Sequence, residues 1–94
     1  MKWVKLKKIC EDILKRKVDI SGSTSINGIK AGLVDDGNKA EILINFNLLK
    51  KDDAVIEGVA HELAHSILFS DKEDAEHKEK WEELEKTIKF RYYN

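Results

Sequence analysis

A short motif near the middle of the chain has the residue types and the spacing of a metal-dependent hydrolase. The H-E-x-x-H pattern occurs at His61-Glu62-Leu63-Ala64-His65, and it places two histidines one helical turn apart so that both imidazoles face a single zinc ion. The glutamate can take a proton from a zinc-bound water that attacks a carbonyl group polarised by the ion. The motif therefore predicts a zinc metallopeptidase with Glu62 as catalytic base and His61 and His65 as metal ligands.

A catalytic zinc ion needs three protein ligands and an open fourth position, so a third donor has to come from elsewhere. His77 is the remaining histidine of the chain, and imidazole is a good zinc ligand. It follows His65 by enough residues for one helix to end and another to return. Carboxylates in the same connection, those of Glu73, Asp74 and Glu76, are alternative ligands. His77 could also pack as a neutral ring at the head of an apolar stripe.

The motif lies within a predicted helix that begins at Asp52 and Asp53 and ends near Phe69. Acidic residues favour the positive end of a helix dipole. On a helical wheel most apolar residues of this segment share one arc, and the motif histidines lie on the opposite side. Gly58 precedes His61 by one turn and costs a helix about 1 kcal/mol relative to alanine. It therefore predicts either open access to the site or close packing against another element.

The other elements predict an α+β fold, whose layout resembles that of a minimal zincin-like catalytic domain. Apolar residues at helical spacing alternate along the chain with segments of strand-like alternation, and a turn cluster at 35–38 joins two of those segments as an antiparallel hairpin. The predicted elements are a helix over 2–17, strands over 18–25, 29–33 and 40–46, the motif helix, a helix over 75–89 and a tail over 90–94. The sheet would be small, antiparallel or mixed, with about three strands.

Composition and charge exclude several classes of function. The 94 residues are enough for one domain, residues 1–94. Seventeen basic and 18 acidic side chains give a net charge of -1, which lacks the basic footprint of nucleic-acid binding. No apolar run could span a membrane or serve as a signal peptide. We therefore expect a cytoplasmic protein without nucleic-acid or membrane partners, and its dense charges of both signs are typical of thermophile proteins.

Roughly the second half of the chain resembles minimal zinc peptidases. The shared features are a strand ending in Ile-Asn, a Leu-Leu pair, the run Val-Ala-His-Glu-Leu-Ala-His, and His77 followed one helical turn later by Trp81. On these features the chain is similar to the minigluzincins, which are very short soluble metallopeptidases, and to the SprT-like small metallopeptidases. The resemblance implies that His61, His65 and His77 bind Zn²⁺ and that Glu62 is the general base and acid.

The resemblance to minigluzincins also implies a latent form. Minigluzincins are zymogens whose C-terminal segment obstructs the cleft, either as a tail that folds back or as a helix exchanged between two molecules. The matching segment here would be 90–94 or the helix before it, so the expected state is a monomer or a helix-swapped homodimer. Most gluzincins bind zinc through a glutamate as third ligand, which keeps Glu73 and Glu76 as alternatives to His77.

The predicted substrate is a peptide or an unfolded protein. An exposed sheet edge near the metal could hold it by main-chain hydrogen bonds, and either strand of the hairpin could form that edge. Tyr92 and Tyr93 in the predicted tail are candidates for stabilising the oxyanion. Two other functions stay open. One is a binding module whose fold is stabilised by a structural zinc ion, and the other is a metal-free interaction domain in which the motif occurs by chance.

Overall fold

The computed structural model of the chain describes residues 1–23, 31–68 and 75–94. Its elements, in chain order, are α1 (Trp3–Leu14), β1 (Lys17–Ser23), β2 (Ala31–Asp35), β3 (Lys39–Asn45), α2 (Asp52–Leu68) and α3 (Ala75–Tyr93). The predicted α+β class is therefore confirmed, with three helices and a three-stranded sheet among the described residues.

The sheet is mixed and has the strand order β1-β3-β2. β2 and β3 form the predicted antiparallel hairpin, and β1 pairs with β3 in parallel. The hairpin turn is stabilised by the side chain of Asp36, which accepts hydrogen bonds from the backbone N–H groups of Asn38 and Lys39, and by Gly37, whose φ of 88° suits glycine. Among the described strands β3 is thus central, and β2 is an edge strand next to the motif helix.

One face of the sheet is covered by the helices. Ala40, Ile42 and Ile44 alternate along β3 and are fully buried, while Glu41 between them is exposed. α1 and α2 contribute much of the remaining core through the apolar stripe of α1 and the apolar arc of α2, and α3 adds three further residues. The core residues of α1 and α2 include Leu6, Ile9, Cys10, Leu14, Val55, Ile56, Val59, Ala60 and Leu63, and those of α3 are Leu84, Ile88 and Tyr92. Burial raises the pKa of the Cys10 thiol to about 12, so this cysteine is a packing residue.

The helix bounds differ from the predicted ones at two ends. α1 ends at Leu14 because Lys15 adopts the left-handed conformation, with φ at 60°, and turns the chain into β1. α3 continues to Tyr93, so the predicted tail over 90–94 is wrong. Helical structure extends there because the buried side chain of Tyr92 packs into the core and its hydroxyl accepts a hydrogen bond of 2.7 Å from the Lys2 backbone N–H.

α2 begins at Asp52, as predicted, and is described to Leu68. The predicted end near Phe69 lies outside the described residues. Within the described part of the chain, no helix combines the length and the apolar character needed to cross a membrane.

Candidate metal centre

Two helices bring the three histidines together. His61 and His65 lie one turn apart on α2, and His77 lies in the first turn of α3, which packs against α2. One ligand atom from each ring can be chosen so that all three lie within 4.8 Å of one another. Nitrogen ligands of a tetrahedral zinc ion are roughly 3.4 Å apart, given Zn–N distances near 2.1 Å. The three rings therefore fit a zinc ion after small side-chain rotations.

The rings contact one another face to edge and face to face. The centroids of His61 and His65 are 4.9 Å apart, as are those of His61 and His77, and His65 stacks on His77 at 4.0 Å. His77 is only 1% exposed, whereas His61, Glu62 and His65 are half-buried. The group is thus closed on the side of α3 and accessible on the side of α2, as an exchangeable fourth position requires.

Trp81 encloses the group one helical turn after His77. Its ring lies edge-on to His61, with centroids 5.7 Å apart. Its indole N–H donates a hydrogen bond of 3.2 Å to the carbonyl of Glu57, which precedes His61 by one turn of α2. Trp81 therefore links the two helices at the level of the histidines and restricts the orientation of His61, a role in packing and positioning.

The structure describes one of the three alternative ligands and both tyrosines that were predicted as candidate site residues. Glu76 is exposed and does not belong to the histidine group, and Glu73 and Asp74 lie outside the described residues. Tyr92 and Tyr93 hydrogen-bond to the two aspartates at the start of α2, about 12 Å along the helix from His61. The hypothesis that a tyrosine of the C-terminal segment reaches the site is therefore wrong for this structure.

Gly58 owes its place to close packing. A Cβ atom added there would lie 2.9 Å from Cδ1 of Leu49 and 3.6 Å from Cβ of Ala31 in β2. Gly58, Glu62 and Ser66 follow one another at four-residue intervals, so they share one stripe of α2. This stripe faces β2 because Gly58 approaches Ala31 at one end and Ser66 donates a hydrogen bond to Asp35 at the other.

Glu62 therefore lies on the side of α2 that faces the edge strand, midway between these two contacts. On β2 the residue midway between them is Leu33, which is half-buried against the core. The N–H of Asp36 donates to the carbonyl of Lys39 in the hairpin, and hydrogen-bonded pairs alternate along an antiparallel ladder. The backbone N–H and C=O of Leu33 consequently point away from β3, towards the side of β2 on which the described residues place no further strand.

A polar cluster of Arg16, Asp35 and Ser66 lies beside this edge and was not predicted from the sequence. Burial by itself raises the pKa of Asp35, but hydrogen bonds from the Ser66 hydroxyl, the Gly37 N–H and the Arg16 guanidinium outweigh it and lower the pKa. Asp35 is therefore a carboxylate at neutral pH. In the sequence it looks like an ordinary member of a turn, and its partners lie far away along the chain, so no local pattern indicates its role.

A sequence profile of the SprT-like family matches residues 5–94. The chain belongs to the SprT-like family. The match covers the described histidine group as well as α1 and the sheet, and the family consists of zinc metallopeptidase-like domains. It agrees with the SprT-like part of the resemblance and does not extend to the minigluzincins. No curated protein matches the chain, and no solved structure matches it either.

Proposed function

We propose that this member of the SprT-like family is a zinc endopeptidase. His61, His65 and His77 would hold the metal, and Glu62 would act as general base and acid. The observation that supports this assignment is the convergence of three imidazoles from two helices beside a glutamate whose side of the helix faces a free sheet edge. An accidental H-E-x-x-H string would have no reason to meet a third histidine or to lie against such an edge.

The residues would divide the reaction between them. When bound, zinc supplies a Lewis acid that polarises a carbonyl group and makes water more acidic. Glu62, half-buried and next to His61 in sequence, would accept the proton of the attacking water and return it to the departing amine nitrogen. The burial of His77 would keep its ring in one orientation, so that metal affinity does not depend on ordering a mobile side chain.

The proposed substrate is an extended peptide or an unfolded segment of a protein. Such a chain can add itself to β2 as a further strand, because main-chain groups at a sheet edge are free to pair. Leu33 offers an N–H and a C=O at this edge, at the level of Glu62. A peptide paired there would place a backbone carbonyl near the histidine group, which fits an endopeptidase that recognises backbone more than side chains.

The substitution Glu62→Gln tests the proposal. It keeps the size of the side chain and removes its ability to accept a proton, so we expect unchanged zinc content and a loss of about 10² to 10⁴-fold in cleavage of an unstructured protein. Glu57→Gln is the matched control, since that side chain lies on the same helix and is exposed. Undiminished cleavage by the Glu62 variant would refute the assignment.

A structural zinc ion is the second candidate, and the burial of His77 favours it. In that case the metal would only fasten α3 to α2 and the protein would bind a partner without cleaving it. Chelation would lower the melting temperature under both proposals. An assay of the zinc-loaded wild-type protein on an unstructured substrate distinguishes the two proposals. Cleavage supports the enzyme, and absence of cleavage supports the structural zinc ion.

Latency of the kind found in minigluzincins is a finer form of the same proposal. It would require α3, which carries His77, to be exchanged between two molecules or to cover the cleft. In the structure the C-terminal residues of α3 contact α1 and the start of α2 of their own chain. A helix-swapped homodimer would repeat these contacts between chains, and size-exclusion chromatography with light scattering would separate it from a monomer.

A further inference from the structure

The cluster of Arg16, Asp35 and Ser66 joins three elements beside the proposed site. Arg16 lies between α1 and β1, Asp35 ends β2, and Ser66 directly follows the histidine His65 on α2. The Arg16 Nη2 donates to Asp35 Oδ2 and, at 2.6 Å, to Ser66 Oγ. The Ser66 hydroxyl donates to the same Asp35 oxygen. The three side chains therefore form a closed set of mutual hydrogen bonds.

The cluster is largely enclosed by protein. The side chains of Arg16 and Asp35 are 20% and 14% exposed, and Ser66 is 4% exposed. Burying charged groups carries a large desolvation cost, and apolar residues of similar volume often stabilise a junction at least as well. The Arg16 Nε is buried and lacks a hydrogen-bond partner among the described residues, which adds a further cost to burying this guanidinium. Stability therefore does not account for the choice of residues, whereas directional bonding does.

The directional bonds act on the position of β2 along α2. β2 contacts α2 near Ala31, where the close packing against Gly58 is apolar and supplies no directional bond. At its other end the hydrogen bonds of Asp35 hold the strand at one point. Because β2 is held in register with β3, a displacement would move the hairpin as a unit over α2, and displacements near 1 Å at reacting groups can cost about 100-fold in rate.

We propose that Arg16, Asp35 and Ser66 are positioning residues that fix the edge strand β2 relative to Glu62 and so determine where a bound peptide presents its scissile bond. The inference rests on the proposed peptidase function for its kinetic consequence. Its structural content, that the cluster holds β2 in place over α2, is independent of catalysis and of zinc.

The test uses the full chain with Asp35→Asn and Ser66→Ala, singly and together. Asp19→Asn is the control, since the carboxylate of Asp19 pairs with Lys39 and Lys7 and with no member of this cluster among the described residues. In zinc-free protein, NMR relaxation dispersion should show new millisecond exchange confined to residues of β2 and to Gly58, and the contact between the Ala31 methyl group and the Gly58 Cα hydrogens should weaken. The double variant should resemble the single variants, since both break one network.

In zinc-loaded protein the same variants should keep their zinc content and show a kcat lowered by about 10-fold or more, with a smaller change in KM. An unperturbed β2 in both variants would overturn the inference, and so would a uniform loss of stability across the chain with kcat unchanged. If wild-type protein cleaves nothing, the peptidase proposal fails, while the dispersion experiment still decides whether the cluster holds β2.

Discussion

The pair formed by α2 and α3 has two ends that are built on different principles. At the metal end, His61, His65 and His77 bring together donor atoms that a cation can join. At the anchor end, made of Asp52, Asp53, Tyr92 and Tyr93, the tyrosine hydroxyls donate to the aspartates. The metal end would be completed by an ion, whereas the anchor end is complete within the protein. The bonds of the anchor end therefore hold α3 against α2 whether or not an ion is bound, and a bound ion would add stability to a helix that is already docked.

The largest effect should follow the loss of the third ligand. His77→Ala leaves two imidazoles, and because losing even an indirect partner of a ligand costs about 10 to 100-fold in metal affinity, we expect a loss greater than 100-fold. Glu76→Ala is the matched control, as its exposed side chain adjoins His77. Competition with a chromophoric chelator measures the affinity. Equal zinc binding by both variants would show that Glu73 or another group is the ligand.

Chelation of zinc should have the next largest effect, on thermal stability. An ion at 100 times its dissociation constant stabilises the native state by about 2.7 kcal/mol, which corresponds to a melting temperature higher by roughly 10 to 20 °C in a domain of this size. We expect the chelated protein to melt earlier but to remain folded at 25 °C, as far-ultraviolet circular dichroism would report. Complete unfolding on chelation would contradict the claim that the anchor end holds α3 in place without metal.

Tyr92→Phe should affect the anchor end and leave the metal end unchanged. The Tyr92 hydroxyl accepts from the Lys2 N–H and donates to Asp52 at 3.2 Å, so its removal breaks both hydrogen bonds, takes the acceptor from the Lys2 N–H and costs about 1 to 2 kcal/mol. The melting temperature should fall by about 5 to 10 °C, measured in the presence of chelator. Zinc affinity should match that of the wild type. Tyr93→Phe is the comparison, because its more exposed ring predicts a smaller loss.

The smallest effect should appear as a change in acid sensitivity. The pKa of Asp35 is lowered in the folded protein, so its contribution to stability is present above the unfolded-state pKa near 4 and is lost as pH falls through the lower folded-state pKa. Replacing it by asparagine should make the melting temperature depend less steeply on pH below about 4. Measuring in the presence of chelator removes any contribution of metal binding to the pH dependence. An unchanged dependence of the melting temperature on pH would contradict the lowered pKa of Asp35.

The metal end could be predicted from the sequence because its information is local. The spacing of His61 and His65 needs only helical geometry, and the start of α2 at Asp52 follows from the charge preference of helix ends. His77 required one further step, the return of a second helix. The alternation of apolar residues in β2 and β3 likewise predicted the hairpin, because residues that face the core recur at every second position of a strand.

The anchor end and the polar cluster could not be predicted because their partners are distant in the chain. Tyr92 extends α3 through a bond to Lys2, so a segment that looks like a tail becomes helical by tertiary contact. Asp35 forms its bonds with Arg16 and Ser66, neither of which has a distinctive local pattern. The central position of β3 depends on its parallel pairing with β1, which strand periodicity alone does not specify.

Because α3 contributes to both the metal end and the anchor end, its attachment affects how the protein behaves when zinc is scarce. The helix that carries His77, the proposed third ligand, is also fastened at its other end by Tyr92, so an emptied site would keep its shape and could reload without refolding. Fluctuations in the supply of the ion would then switch the protein off and on reversibly, whereas a small zinc finger in the same circumstances would unfold and be exposed to degradation.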